Sequence, residues 1–131
     1  MRIISGKNRG KKIYIPKNLP VRPTTDQSKE ALFNIINNNY YFEDLKVLDL
    51  FSGSGNISYE FASRGVKDIS CVDNNSNCVR FIKKISEDLN NLSLILVRNR
   101  KIKLELILLP EKKQKHTFSN TCFSHKRRNY R

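Results

Sequence analysis

The sequence predicts an α/β protein: part of a doubly wound parallel sheet, preceded by a small basic β-hairpin. Three observations carry this. The apolar run Val47-Leu48-Asp49-Leu50-Phe51 breaks into Ser52-Gly53-Ser54-Gly55, a loop whose glycines let the backbone turn sharply and approach a ligand. A second apolar run closes on Asp73, 18 residues past Gly55, where the next strand of a βαβ unit would end. Charge is segregated: of the net +13 over 131 residues, residues 1–30 carry +6, residues 31–95 carry −2 and residues 96–131 carry +9. That is the pattern of a near-neutral globular centre with basic ends.

The elements follow in chain order. Residues 2–5 and 12–15 read as short strands around Gly6-Lys7-Asn8-Arg9-Gly10, a turn with two glycines and two cations. Pro16, Pro20 and Pro23 keep the next stretch extended, because each fixes its own φ and restricts the residue before it. Thr24-x-x-Gln27 matches a capping box, so a helix is expected after Thr24. Ala31, Leu32, Ile35 and Ile36 would be its apolar stripe, and Asn37-Asn38-Asn39 its end. The first parallel strand spans about residues 46–51. A helix over residues 56–64 presents Ile57 and Phe61 and stops at Gly65. The second strand spans residues 69–73. Asn74, Asn75 and Ser76 can cap a third helix, in which Cys78, Ile82, Ile85 and Leu89 share a face. Residues 93–97 read as a third strand. Residues 102–106 alternate like another, which Ile107-Leu108-Leu109 extends. Beyond Pro110 neither period is present.

Composition narrows the class. The length suits one domain. Cys71, Cys78 and Cys122 form no CxxC pair and leave an odd thiol, which argues for a reducing compartment without a disulfide frame. No apolar core follows the N-terminal charges, so no signal peptide is expected, and apolar runs such as 106–109 are far too short to span a bilayer. The expectation is a cytoplasmic, monomeric chain with no membrane partner. The basic ends favour a polyanion, nucleic acid first, because neutralising phosphates releases counterions.

The site chemistry centres on two acids. Asp49, at the carboxyl end of a strand, can accept from a ligand's ammonium or hydroxyl. The two oxygens of Asp73 suit the two hydroxyls of a ribose. The bland alternatives are a tight turn with a structural Asp49, and an Asp73 that caps a helix. A dinucleotide fingerprint would carry a third glycine at position 58, where this chain has Ser58, and an acid just before the loop would repel a pyrophosphate. A cationic nucleoside without phosphates, such as S-adenosylmethionine, fits better. A nucleotide-dependent oxidoreductase is the rival.

The chain resembles the bacterial methyltransferase family that modifies guanine N2 of 16S ribosomal RNA with S-adenosylmethionine. The resemblance rests on Arg2-Ile3-Ile4 and Gly6, Arg9-Gly10-Lys11, Arg22-Pro23-Thr24-Thr25-Asp26, Lys29-Glu30-Ala31-Leu32-Phe33-Asn34, and Val47 through Gly55. It covers about residues 1–92. It implies a Rossmann-like S-adenosylmethionine-dependent methyltransferase fold with an N-terminal β-hairpin arm, and 16S ribosomal RNA or the small ribosomal subunit as partner. It also implies site residues. Asp49, Gly53 and Gly55 would hold the methionine end, with Phe51, Ser52 and Asn56 beside them. Asp73 and Asn74 would hold the ribose, and Thr25 and Asn34 would support the pocket. Arg2, Lys7, Arg9, Lys11, Lys12 and Arg22 would face RNA. The family usually has Glu at position 73; Asp keeps the charge with a shorter reach.

The same resemblance marks a departure. The family's Asp-Pro-Pro-aromatic motif, which presents the target base, does not occur in these 131 residues, and Arg98-Asn99 stands where an acid is expected near the adenine. The fold is therefore expected to be incomplete at its C-terminus: residues 1–24 as the arm, 25–97 as a partial methyltransferase domain, and 98–131 as an atypical, poorly ordered basic tail of the kind a reading-frame change produces. A catalytically inactive RNA-binding remnant is the alternative this leaves, and no catalytic residue is assigned. No metal is implied: His116, Cys122 and His125 make three ligands where structural zinc takes four.

Overall fold

The structure, a computed structural model, describes residues 1–89, 94–97 and 107–110. The expected strand over 102–106 and the tail over 111–131 lie outside the described residues. The elements are α1 (Asp26–Asn39), a 3-10 turn (Phe42–Asp44), β1 (Leu45–Asp49), α2 (Asn56–Ser63), β2 (Asp68–Val72), α3 (Ser76–Asp88), β3 (Leu94–Val97) and β4 (Ile107–Pro110). The four strands form one sheet in the order β3-β2-β1-β4. β1, β2 and β3 are mutually parallel, with Asp49 opposite Cys71 and Val72 opposite Val97. This is the incomplete Rossmann-like sheet that the sequence predicts. β4 runs antiparallel to β1, with Val47 opposite Leu108. Nine residues separate β3 from β4, fewer than the dozen or so that a parallel crossover needs, so the strand can return only in the opposite sense.

Two local expectations are corrected. The first helix is capped by Thr25, not Thr24: the Thr25 hydroxyl accepts from the Ser28 N–H at 3.2 Å and donates to Ser28 Oγ at 2.9 Å. Thr24 instead gives its carbonyl to Asn56 Nδ2 at 2.8 Å. The buried face of α1 is Lys29, Phe33 and Ile36, at i, i+4 and i+7, while Ala31 and Ile35 are exposed. The helix is rotated to bring Lys29 inside, where its ammonium has partners.

The hairpin is also shorter than expected. Arg2 and Lys12 form one isolated antiparallel bridge, backed by Ile3 N–H to Lys11 O at 3.0 Å and Ile13 N–H to Met1 O at 2.9 Å. The backbone beyond it is claimed by α2. Ile4 and Ser5 donate their N–H groups to the Glu60 carboxylate at 2.9 and 3.0 Å, and Lys7 donates to Ser63 O at 2.7 Å. Contact is so close at Gly6 (φ +80°) that a Cβ there would overlap the Ser63 carbonyl.

The core joins these layers. Ile3 and Ile13 of the hairpin pack with Phe33, Val47, Tyr59, Phe61, Ile69 and Ile82. The Phe33 and Phe61 rings meet edge-on at 4.6 Å, and the Arg64 guanidinium lies 4.6 Å from the Phe33 centroid. On α3, Cys78 and Ile82 are buried, and Leu89 closes its end. Among the described residues, no helix is long and apolar enough to cross a membrane.

Candidate functional site

The glycine loop between β1 and α2 sits where the two parallel strand tips meet. Ser52 N–H donates to Val72 O at 3.1 Å, and the Ser52 hydroxyl donates to Asp49 O at 2.9 Å. Gly53 N–H donates to Asp73 Oδ2 at 2.8 Å. The loop thus straps the end of β1 to the end of β2 and sets Asp49 and Asp73 on either side of itself. Gly55 takes the left-handed conformation (φ +77°) that turns the chain into α2, and the Tyr59 ring fills the space a Cβ would occupy, 2.6 Å away.

Asp49 is 7% exposed and borders a small cleft with Phe51, Gly53, Asn56, Arg22 and Val21. Burial raises the pKa of its carboxyl above the ordinary aspartate value. A hydrogen bond from the Ser58 hydroxyl to Oδ2, at 2.6 Å, opposes the rise. Ser58 in turn accepts from the Cys71 thiol at 3.2 Å, and burial pushes that thiol up to about 11. A carboxylate held this way, beside an opening and short of solvent, is suited to pair with a ligand's cation. Asp73 is half-buried. Its Oδ2 serves Gly53, and its Oδ1 accepts from Asn75 N–H at 2.8 Å. Each oxygen keeps a second lone pair for a ligand hydroxyl. Asn75, rather than Asn74, caps α3 by accepting from Asn77 N–H at 2.8 Å.

The structure therefore gathers Asp49, Phe51, Ser52, Gly53 and Asn56 at one cleft, with Gly55 in its loop and Asp73 bonded to it. Phe51 is 56% exposed, an aromatic surface left at the rim. Asn74 is exposed beside Asp73. Thr25 acts as the cap of α1. Asn34 stands nine residues further along that helix, about 13 Å at 1.5 Å per residue; it is exposed and does not line the cleft. The cleft measures about 110 Å³, well below the ~300 Å³ at which pockets for whole small ligands begin. The residues present fit one end of an amino-acid-bearing nucleoside rather than all of it. The basic residues fall on separate surfaces. Arg22 borders the cleft, Lys11 and Lys12 face α3, and Arg2 and Arg9 border a hollow beside Glu30. Arg2 pairs with Asp26 at 2.7 Å, and Lys7 is exposed on the turn.

Sequence reasoning missed the support behind this cleft. Lys29 and Glu60 are fully buried and 3.4 Å apart. The Lys29 ammonium donates to Asn56 Oδ1 at 2.9 Å and to the Arg2 carbonyl, while Arg64 Nε donates to Glu60 Oε1 at 2.9 Å. Burial lowers the Lys29 pKa, and Glu60 counters it. Asn56, the first residue of α2, is thus held from both sides, by Lys29 and by the Thr24 carbonyl. Ser58 was legible only as a missing glycine. Its spacing from Asp49, nine residues across a tight βα turn, is the signal that would have found it.

Comparison with known proteins supports the fold. A family model described as conserved hypothetical protein 95 matches residues 1–122. Relatives named ribosomal RNA small subunit methyltransferase D are among the matches. The protein from Buchnera aphidicola (subsp. Baizongia pistaciae) is 35% identical over 98 residues, covering 75% of this chain and 50% of the relative. The one from Escherichia coli K12 is 42% identical over 64 residues, covering 49% and 31%. YlbH of Bacillus subtilis is 39% identical over 83 residues, covering 63% and 44%. The solved structure of yhhF from Escherichia coli superposes with a TM-score of 0.66 at 31% identity, covering 76% of this chain and 52% of that one. The chain spans about half the length of the curated relatives it matches.

Proposed function

Because the chain belongs to the conserved hypothetical protein 95 family, we propose that it carries the methyl-donor half of an S-adenosylmethionine-dependent methyltransferase acting on guanine N2 of 16S ribosomal RNA. The observation that carries the reading is the pair Asp49 and Asp73, set at adjacent parallel strand tips and strapped together through Gly53 and Ser52. The names of the relatives, methyltransferases of small-subunit ribosomal RNA, support the reaction class and the substrate.

In this reading Asp49, which lines the cleft, pairs with the ammonium of the donor's methionine end, and Ser58 fixes the carboxylate through Oδ2. Asp73 accepts from the ribose hydroxyls while its loop bonds keep it in place. Phe51 lies at the rim as an apolar wall. S-adenosylmethionine, when bound, supplies a methyl group already activated on a sulfonium, so the protein's task is to position the donor and the accepting nitrogen. The net positive charge and the cations Arg2, Lys7, Arg9, Lys11, Lys12 and Arg22 favour the RNA strand.

One observation favours a second reading. The 131 residues contain no Asp-Pro-Pro-aromatic segment to hold the base, which suits a chain that binds RNA without transferring a methyl. Incubation with radiolabelled S-adenosylmethionine and unmethylated small-subunit RNA separates the two. Label recovered in N2-methylguanine is the expected result of the first. RNA binding that weakens with salt, without label, selects the second. Tighter binding of NAD than of S-adenosylmethionine would reject both in favour of an oxidoreductase.

A further inference from the structure

A groove of about 360 Å³ separates the hairpin from α3, and it is larger than the cleft at Asp49. Its walls are mostly apolar, with Tyr14 on one bank and Phe81 on the other. Tyr14 is 83% exposed, so almost none of its ring is used in folding. Phe81, on α3, is half-buried and packs against the core from below. Lys11 and Lys12 stand on the hairpin bank and Lys84 on the helix bank, against one acid, Asp88. Lys11 Nζ donates to the Asp88 carbonyl at 3.3 Å, which closes one end of the groove and leaves that ammonium two further donors.

We propose that this groove docks an unpaired stretch of RNA, with a nucleobase stacked on Tyr14 and flanking phosphates held by Lys12 and Lys84. The proposal rests on the RNA-directed reading above and extends it to a surface distinct from the donor cleft. An exposed aromatic ring bordered by cations on both banks is the combination that binds single strands: every unstacked base offers a π-face, and the phosphates on either side meet positive charge. A duplex keeps its bases stacked inside and presents only the phosphates. Among the described residues lining the groove, the excess of cations over acids favours an anionic partner over a neutral or basic one, and the exposed Tyr14 ring adds a stacking platform that suits a nucleobase. The hairpin that forms one bank of the groove also touches the glycine loop, through Met1. Ser54 of the glycine loop donates to Met1 Sδ at 3.6 Å, and Ile13, next to Tyr14, donates its N–H to the Met1 carbonyl at 2.9 Å.

The test is fluorescence anisotropy of the purified chain with a labelled oligouridylate and with an RNA duplex of the same length. The single strand should bind more tightly. Tyr14→Ala should weaken it about tenfold and leave the duplex unchanged. Tyr14→Phe should keep the affinity. Lys84→Ala should reduce the salt dependence of single-strand binding by about one phosphate contact, a log–log slope change of ~0.7, which Tyr14→Ala should not do. Because Tyr14 is exposed, its variants should fold. Single-strand binding indifferent to Tyr14, or a preference for duplex, overturns the groove while leaving the RNA reading intact. Absence of binding to either RNA by the unaltered chain removes that reading and the groove with it. A Tyr14-dependent dimer in sedimentation velocity assigns the groove to a second copy of the chain and also overturns the proposal.

Discussion

Glu60→Ala is the perturbation whose cost the structure sets most clearly. The Glu60 carboxylate is fully buried and serves four partners: the Ile4 and Ser5 N–H groups, the Arg64 guanidinium and the Lys29 ammonium. Truncation leaves Lys29, also fully buried, without its counter-charge. Stranding one member of a buried ion pair costs about 3–5 kcal/mol. Two backbone donors lose their acceptor as well, at about 1–3 kcal/mol each when no water reaches them. Against a typical total stability of about 5–15 kcal/mol, the variant should lie near or past the edge of folding. In urea, with a slope of about 1–3 kcal/mol per molar for a small domain, the midpoint should fall by at least ~1 M. The companion variant Lys29→Met removes the cation instead. Combining it with Glu60→Ala should cost clearly less than the sum of the two single changes, because Lys29 is no longer stranded and only Arg64, at the edge of the network, loses its carboxylate. Urea melts followed by circular dichroism give all four corners of that cycle. A Glu60→Ala midpoint within experimental error of the parent, or strictly additive costs, would refute the claim that this network ties the hairpin to α2.

Two further outcomes follow from the loop. Gly55→Ala forces a side chain into left-handed backbone, at about 1–2 kcal/mol, and drives its Cβ into the Tyr59 ring. Adding Tyr59→Leu should recover the clash but not the backbone cost, and full recovery in thermal melts would show that the conformation is unstrained. Asp49 sets a pH dependence. Its folded pKa is raised above the ordinary value near 3.8, so the native state holds the proton more readily than the unfolded chain. Its contribution to stability should therefore be fully present below the unfolded value and be lost as pH rises through the folded one. Asp49→Asn should lack that decline, and parallel curves of urea midpoint against pH for the two proteins would contradict the assignment.

The sequence made the sheet and its crevice legible because they depend on short-range signals. Apolar runs mark β1 and β2, the glycines mark the turn, and Asp73 arrives one βαβ unit later. The faces of α3 follow equally directly from its helical spacing. The polar interior was not legible. Lys29 and Glu60 look like surface residues in a linear reading, and only the fold brings a cation on α1 against a carboxylate on α2 and the backbone of the hairpin. That contact also explains the rotation of α1 away from the stripe that apolar residues alone would choose, with Ile35 left 63% exposed. The shift of the cap from Thr24 to Thr25 has the same origin, since the Thr24 carbonyl is drawn to Asn56. The sense of β4 is set by connection length, which no residue pattern encodes.

The most direct measurement is calorimetric titration of the chain with S-adenosylmethionine, alongside Asp73→Ala. The half-site described by Asp49, the glycine loop and Asp73 predicts saturable one-to-one binding by the parent chain. It predicts at least a tenfold loss in the variant, since hydrogen bonds to a charged group are worth about 1.5–3 kcal/mol. A flat titration of the folded parent chain, or equal affinity in the two proteins, would contradict it.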